Sequence, residues 1–378
     1  MMMSSRLGAA TAFVLLTTVL PGATRADAEP AFLSKQYTRC TSCHISPTGG
    51  GLLASYGRAL SSRELSTTGN RQVADPNDTK PEPEAQFLWG ALGNSLGPLQ
   101  LGVEMRPSHL RTSFAGFTDD RNILMNADVI AAVQARGWTF YGEAGRELKP
   151  DVTFGSYEHW AGYQSQSGIG FRVGRFFPAY GVHFADHTSY NRTNLGFDKY
   201  DQVYGLELSR STTRSLVQVT LAPGRAEALI DDDRARSFNA AGRWQLDLGP
   251  SMTIVGSGIY RAESEIAPKQ GSAGLAFGFA PHEKLTVWSQ GDVRGDDLNG
   301  ASFVFVNETS YEAVRGLWLK VSPQLRTESG PQPQVVRLAL SANFLPRTHI
   351  NVSTTYYRDK PKGSDPVHTW LLQLHLYL

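Results

Sequence analysis

The pattern that most restricts the fold of this chain is an alternation of apolar and polar residues, repeated from residue 97 to the C-terminus. At the end of the chain the apolar positions are Trp370, Leu372, Leu374, Leu376 and Leu378, and the polar ones are Gln373, His375 and Tyr377. Similar runs occupy residues 100–106, 125–134, 243–248, 317–326 and 336–344. Because the side chains of a β-strand point alternately to its two faces, the pattern predicts strands with one apolar face and one polar face.

The connections between these runs fall into two classes that alternate along the chain. Short turns are predicted near residues 136–138, 165–167, 211–214, 248–251, 281–284, 314–316 and 345–348. Longer polar loops are predicted near residues 108–121, 149–156, 176–202, 223–236, 262–270, 294–300, 327–332 and 359–367. Seven turns and eight loops join sixteen strands, give or take roughly two. Both termini then lie on the side of the short turns.

This layout predicts an all-β fold in which residues 86–378 form a transmembrane antiparallel β-barrel of about 16 strands. Outer-membrane barrels have an even number of strands, short periplasmic turns and longer outer loops. A soluble β-sandwich also alternates, but it rarely has so many strands with two classes of connection. The segment Phe87-Leu88-Trp89 is predicted to be an extra strand or a clip where the chain joins the barrel.

The N-terminus is predicted to be an export signal. Arg6 is followed by an apolar stretch at residues 7–20, and no acidic residue occurs before Asp27. This stretch is short for a membrane anchor, which needs about 20 apolar residues. Residues 1–28 are therefore predicted to be a secretory signal peptide, and the mature chain to reside in the outer membrane of a Gram-negative bacterium. The formal net charge of +1 provides no basic excess for binding nucleic acid.

The two cysteines of the chain both lie in the sequence Cys40-Thr41-Ser42-Cys43-His44. This Cys-x-x-Cys-His spacing is the attachment signature of c-type haem. In such a site the two thiols form thioether bonds with the vinyl groups of the porphyrin, and the histidine ligates the iron from the proximal side. The motif therefore predicts one haem c, bound through Cys40 and Cys43, with His44 as the proximal ligand.

Three other interpretations of the cysteine pair remain open. A redox-active pair would be expected in a thioredoxin-like βαβ context, and none follows the motif. A zinc site needs further Cys or His residues nearby, and the next histidine is His109. A plain disulfide between Cys40 and Cys43 suits an oxidising compartment outside the cytoplasm.

The residues around the motif are predicted to form a small haem-binding segment, residues 29–65. Three consecutive glycines at 49–51 would let the backbone pass close to a flat macrocycle, and residues 52–60 are predicted to form a short helix. Arg58 is a candidate partner for a haem propionate, although a solvated surface arginine is an equal interpretation. Residues 66–85 contain several Gly, Asn and Pro residues and are predicted to be a linker.

The sixth iron ligand is predicted to be a histidine, or else the position is open. Methionine is a common alternative in c-type haems, but parity along the strands places every methionine of the mature chain on the lipid face. These residues are Met105, Met125 and Met252. The candidate distal ligands are His183 and His187 in the longest loop, and His349 and His375 on the polar faces of neighbouring strands. Each is equally explained by ordinary loop or lumen chemistry.

A haem motif ahead of a sixteen-strand barrel resembles the fused cytochrome–porin family of iron-oxidising bacteria. The matching residues are Cys40-Thr41-Ser42-Cys43-His44, Pro47 and Tyr56-Gly57-Arg58. The resemblance implies an outer-membrane electron conduit with a single haem. Its members take electrons from extracellular Fe(II), an oxidase activity, and pass them inward, so a periplasmic cytochrome or other acceptor is the implied partner. Because the apolar band of such a barrel is about 25 Å tall, we expect residues 30–65 to fold into the lumen.

Two other functions remain open. A diffusion porin would use the same barrel, with Cys40 and Cys43 as a disulfide, and the luminal arginines Arg172, Arg243 and Arg326 would suit a pore. A soluble haem sensor or peroxidase with a β-domain fits the lipid-type alternation poorly. A peroxidase would also need a distal acid–base residue, which the sequence does not identify.

Overall fold

The computed structural model describes residues 30–68, 86–91, 98–146, 154–195, 201–223, 238–262, 268–297, 300–327 and 334–378. Its strands are β1 Leu99–Phe114, β2 Phe117–Ala135, β3 Trp138–Gly145, β4 His159–Gln164, β5 Ile169–Phe176, β6 Val203–Ser211, β7 Ser215–Ala222, β8 Asn239–Gly249, β9 Met252–Arg261, β10 Gln270–His282, β11 Leu285–Asp296, β12 Gly300–Val314, β13 Leu317–Thr327, β14 Val335–Arg347, β15 Ile350–Pro361 and β16 Val367–Tyr377. Consecutive strands pair antiparallel, and β1 pairs with β16 to close the barrel. The predicted sixteen-strand barrel is confirmed. The predicted signal peptide and residues 69–85 of the predicted linker lie outside the described residues.

The outer surface of the barrel is apolar. Val129, Leu275 and Trp370 are 62%, 61% and 53% exposed, whereas Asp128 and Gln290, on the opposite face of their strands, are each 1% exposed. An extended apolar surface of this kind fits lipid rather than water. A closed barrel also leaves no unpaired strand edge in the hydrocarbon. The chain is therefore a transmembrane barrel that contacts lipid, and the predicted outer-membrane location follows from this architecture.

The connections lie close to their predicted positions, with one exception. Residues 108–121 are not a loop, because β1 and β2 continue through them and are joined by Ala115 and Gly116 alone. These two residues have φ values of 48° and 84°, which is the conformation that two-residue hairpin turns require. Polar residues occupy both faces of this hairpin, including the facing pair Arg111 and Asp120. That composition is typical of a loop, so the strands were not recognised in the sequence.

A β-bulge corrects the predicted orientation of one methionine. The pairing of β1 with β2 shifts between Met105 and Pro107, so that β2 has one more residue than β1 at this point. An extra residue inverts the faces of the residues around it. Met125 consequently turns inward, where its Sδ accepts a hydrogen bond from Gln373 Nε2 at 3.0 Å. The prediction that Met125 faces lipid is wrong.

The helical elements are short and lie outside the strands. The two α-helices are α1 Ser55–Leu60 and α2 Tyr190–Leu195, and the other turns are 3-10 at Pro30–Lys35, Cys40–Ser42 and Phe87–Gly90 and π-helical at Ser61–Leu65. The structure thus has a helix within predicted residues 52–60. The predicted extra strand at 87–89 is instead a turn, in which Trp89 Nε1 donates to the backbone oxygen of Thr348 at 3.2 Å. In the described part of the chain, no helix is long and apolar enough to cross a membrane.

Two segments occupy the lumen, residues 30–68 and residues 177–195 of the loop between β5 and β6. Leu33 of the first segment and Tyr180 of the second are 0% and 1% exposed. Both belong to one buried cluster that includes Trp288, an inward-facing residue of β11. Part of the apolar core of the molecule therefore lies inside the barrel, where the two segments cover inward-facing strand residues.

Candidate functional site

Residues 30–68 contact the barrel wall through polar side chains. Arg39 Nη2 and Nε donate to Asp247 Oδ2 at 2.7 and 3.0 Å, and the two side chains are 6% and 10% exposed. Ser46 Oγ donates to Glu158 Oε2 at 2.9 Å. Further contacts join Lys35 to Glu312, Ser34 to Thr286, Arg58 to Gln100 and Ser61 to Tyr377. The segment thus bridges strands on several sides of the lumen.

The Cys-x-x-Cys-His motif forms a tight turn. The backbone N–H groups of Cys43 and His44 both donate to the carbonyl oxygen of Cys40, at 3.2 and 3.0 Å. His44 Nδ1 lies 2.9 Å from the carbonyl oxygen of Gly50. Because a carbonyl only accepts hydrogen bonds, Nδ1 carries the proton, and Nε2 is the nitrogen with a lone pair. Metal-ligating histidines almost always make such a bond through the other ring nitrogen.

Two glycines allow the segment to fold closely around the motif. A Cβ on Gly57 would lie 2.3 Å from the carbonyl oxygen of Cys43, so no other residue fits at this approach of α1. Gly49 has a φ of 83°, and a Cβ there would lie 3.3 Å from Cys40 Sγ. These glycines therefore serve close approach to the residues that carry the thiols.

The two thiols face different surroundings. Cys43 is 3% exposed and belongs to an apolar cluster with Phe32, Leu60 and Trp318. Cys40 lines a cavity of about 30 Å³ between the motif and residues 177–195. We call this the Cys40 cavity. The two thiols are not joined by a disulfide in the structure.

The chemical groups of the motif fit a c-type haem, but the space beside them does not hold a macrocycle in this arrangement. Two thiols and an adjacent, oriented imidazole meet the chemical requirement. A cavity of about 30 Å³ holds roughly two water molecules, whereas pockets for drug-sized ligands have volumes of about 300–1,000 Å³. Since Cys43 is also buried, a haem would have to be attached before residues 30–68 pack into the lumen.

Arg58 lies away from the Cys40 cavity. It lines a second cavity, of about 10 Å³, together with Glu104. Its Nε donates to Leu53 O and its Nη2 to Gln100 Oε1, both at 3.1 Å. Burial lowers the pKa of this guanidinium. Because the cavity already contains the carboxylate of Glu104, it is a poor place for a haem propionate.

His183 is the predicted distal ligand that the structure brings to the cysteines, since it lines the Cys40 cavity. Burial lowers the pKa of His183 well below its ordinary value, so the ring is neutral at pH 7. The neighbouring guanidinium groups that add to this effect belong to Arg192, Arg243 and Arg172. Neutral imidazole is the form that ligates metal ions. His187, in the same loop, lines neither of the two cavities.

The other two predicted ligands lie on the opposite side of the motif. His349 is in the turn between β14 and β15 rather than on a strand, and its ring contacts those of Trp89 and Tyr377. It lines the cavity that contains Arg58. His375 points inward from β16, with its Nε2 at 3.3 Å from Glu104 Oε1. Among the described residues, no group of three or more His, Cys, Asp or Glu side chains is arranged to hold a metal ion.

Arg243 lines the Cys40 cavity, which the sequence did not reveal. Its Nε donates to Gly181 O and its Nη2 to Gln245 Oε1, both at 2.8 Å. Alternation along β8 indicates that Arg243 points into the lumen, and this was the signal available. Its neighbours depend on the path of residues 177–195, which no local pattern encodes.

Solved outer-membrane proteins have similar folds. OprB of Pseudomonas putida has a TM-score of 0.63 at 8% identity, and the match covers 85% of this chain and 100% of OprB. OmpF of Salmonella typhi, solved with daunomycin, has a TM-score of 0.59 at 8% identity, with coverage of 74% and 97%. An anion-selective porin of Comamonas acidovorans has a TM-score of 0.57 at 10% identity, with coverage of 74% and 99%. No protein-family model and no curated protein matches the chain.

These likenesses show the fold of the chain. The barrel is of the porin type found in the outer membranes of Gram-negative bacteria, which agrees with its sixteen strands and apolar exterior. The predicted barrel and its outer-membrane location are thereby confirmed.

Proposed function

We propose that the protein transfers electrons in the outer membrane by means of one haem c inside the barrel. Cys40 and Cys43 would form its thioethers, and His44 would be its proximal ligand. The observation that carries this proposal is the orientation of His44, whose Nδ1 is held by the Gly50 carbonyl within a segment bonded to inward-facing residues. When bound, the haem supplies a centre for one-electron oxidation and reduction.

The position of the motif supports this function. Electron transfer across the membrane requires a redox centre within the apolar band, which is about 25 Å tall. The contacts of Arg39 with Asp247 and of Ser46 with Glu158 hold residues 30–68 against the strands. The apolar residues around Cys43 keep water away from this part of the segment. A dry, rigid environment changes little between redox states, which favours electron transfer.

The remaining features of the site are proposed by chemistry and by resemblance. His183 is the proposed distal ligand, because it lines the Cys40 cavity and its imidazole is neutral. By resemblance to the fused cytochrome–porins, the electron acceptor is a periplasmic cytochrome or similar carrier at the short turns. The donor is an extracellular metal ion such as Fe(II), or another reductant, at the long loops.

A second function, solute diffusion as in a porin, is favoured by the fold comparisons. The similar structures include an anion-selective porin, and the lumen of this chain contains Arg172 and Arg243. In this function residues 30–68 would be a plug whose displacement opens the barrel. Cys40 and Cys43 would then form a disulfide or have no role in transport.

One preparation distinguishes the two functions. Outer membranes containing the full chain are separated on a denaturing gel, with and without boiling, and stained for covalently bound haem. Electron transfer requires a stained band whose mobility shifts on boiling. The double variant C40A/C43A should lose the stain and keep the shift. A shifting band without haem, together with ion conductance in planar bilayers, would refute the haem function and leave the porin function.

A further inference from the structure

The guanidinium of Arg243 has only neutral hydrogen-bond partners among the described residues. Its Nε donates to Gly181 O at 2.8 Å, its Nη2 to Gln245 Oε1 at 2.8 Å and its Nη1 to Gln218 Oε1 at 3.3 Å. All three acceptors are amide oxygens. A guanidinium has five N–H groups, so two remain for a further acceptor on the side of the Cys40 cavity.

The nearby carboxylates are bonded to other arginines. Asp247 accepts both of its hydrogen bonds from Arg39, and Glu207 accepts one from Arg172 at 2.9 Å. The side chains of Arg172 and Glu207 are 3% and 2% exposed. Because burying a charge without a partner of opposite charge is costly, an anion in contact with Arg243 would be stabilising.

The Cys40 cavity has a suitable size and lining for such an anion. Its volume of about 30 Å³ corresponds to roughly two water molecules, which is also the space of the two oxygens of a carboxylate group. With His183 neutral, Arg243 is the one charged side chain among the described residues that line it. The cavity around Arg58 differs, because it contains Glu104.

We propose that the Cys40 cavity binds a carboxylate group through Arg243. Two sources share this chemistry: a propionate of a haem attached at Cys40, or a small free carboxylate anion. The first source rests on the proposed electron-transfer function and makes Arg243, rather than Arg58, the propionate partner. The second source requires no haem.

The first arm of the test measures the reduction potential of the haem in the detergent-solubilised full chain. Arg243→Gln removes the charge, and Arg243→Lys keeps it. Arg294→Gln is the matched control, since Arg294 is a luminal residue bonded to Asn194 O and Asp296. Losing a cation paired with a propionate favours ferric iron. We expect R243Q to lower the potential by about 59 mV, a tenfold change in the ratio of oxidised to reduced protein, and the other two variants to change it much less.

The second arm uses C40A/C43A, which cannot hold a haem covalently. Trp288 lines the cavity, so its fluorescence reports on an anion there. The chain is titrated with sodium acetate, and with sodium gluconate at equal ionic strength, because gluconate is too large for the cavity. Binding of a free carboxylate should give a saturable response to acetate alone, which Arg243→Gln or Trp288→Phe abolishes.

The outcomes separate this proposal from the proposed function. A potential change confined to R243Q supports the propionate, and a saturable acetate response that needs Arg243 supports the free anion. If the wild type carries haem and neither response depends on Arg243, the carboxylate site is refuted while electron transfer stands. If the wild type carries no haem, the electron-transfer function fails and the acetate titration alone decides. The shift on boiling verifies that each variant is folded.

Discussion

Removing the carboxylate of Asp247 should release residues 30–68 from the lumen. Asp247 accepts two hydrogen bonds from Arg39, and both side chains are buried. Arg39 also donates to Ser211 Oγ and Thr212 O, at 3.0 and 2.8 Å. In Asp247→Ala the guanidinium would therefore keep neutral acceptors in a dry site and lose its charged partner.

The magnitude follows from the burial of this ion pair. Removing one partner of a buried pair costs about 3–5 kcal/mol. At about 1.4 kcal/mol per tenfold change, the ratio of displaced to docked segment should rise by roughly 100- to 3,000-fold. The pair of Arg111 and Asp120 is a control, because its side chains are 58% and 45% exposed and 3.9 Å apart. Such a pair contributes about 0–1 kcal/mol, so Asp120→Ala should change the ratio less than about tenfold.

The assay is single-channel conductance of the full chain in planar bilayers. A docked segment blocks the barrel and a displaced segment opens it, so the ratio of conducting to closed time measures displacement. A chain lacking residues 30–68 provides the fully open reference. The double variant R39M/D247L should return to the wild-type ratio, because apolar residues of similar volume often replace a buried ion pair at little net cost. An unchanged ratio in D247A, or an equal rise in D120A, would refute the reasoning.

Three further predictions concern the motif and the lipid face. Gly57→Ala would place a Cβ 2.3 Å from Cys43 O, so trypsin should cut residues 30–68 in a barrel that still shifts on boiling; resistance to trypsin would contradict this. Since Cys43 is 3% exposed, a folded haem-free barrel incubated with haemin should acquire no covalent haem stain, whereas the unfolded, reduced chain should. Leu372→Arg, on the lipid face of β16, should cost about 2–4 kcal/mol, measured by urea unfolding in vesicles; an equal loss in Leu372→Gln would argue against lipid contact.

Much of the barrel follows from local patterns. Alternation such as that from Trp370 to Leu378 requires two chemically different surroundings for the two faces of a strand. Repeating it with short turns and long loops leaves a closed sheet in lipid as the consistent arrangement. The segment at 52–60 was also predicted as a helix, and α1 lies within it.

Local patterns failed where two strands had to be compared. The bulge opposite Met105 is defined by the register of β1 against β2, so parity along β2 alone put Met125 on the wrong face. The hairpin at 108–121 has polar residues on both faces, and its strands are recognised only because each pairs with the other.

For the site, the Cys-x-x-Cys-His motif, the inward face of Arg243 and the presence of a long loop before β6 are properties of the sequence. The division of the candidate residues between two cavities is a property of the folded chain. His183 and Arg243 lie beside Cys40, whereas Arg58 and His349 lie on the other side of the motif. The physical reason is that alternation specifies which face a side chain occupies. Its height in the lumen, and the segment packed against it, depend on contacts between residues more than a hundred positions apart.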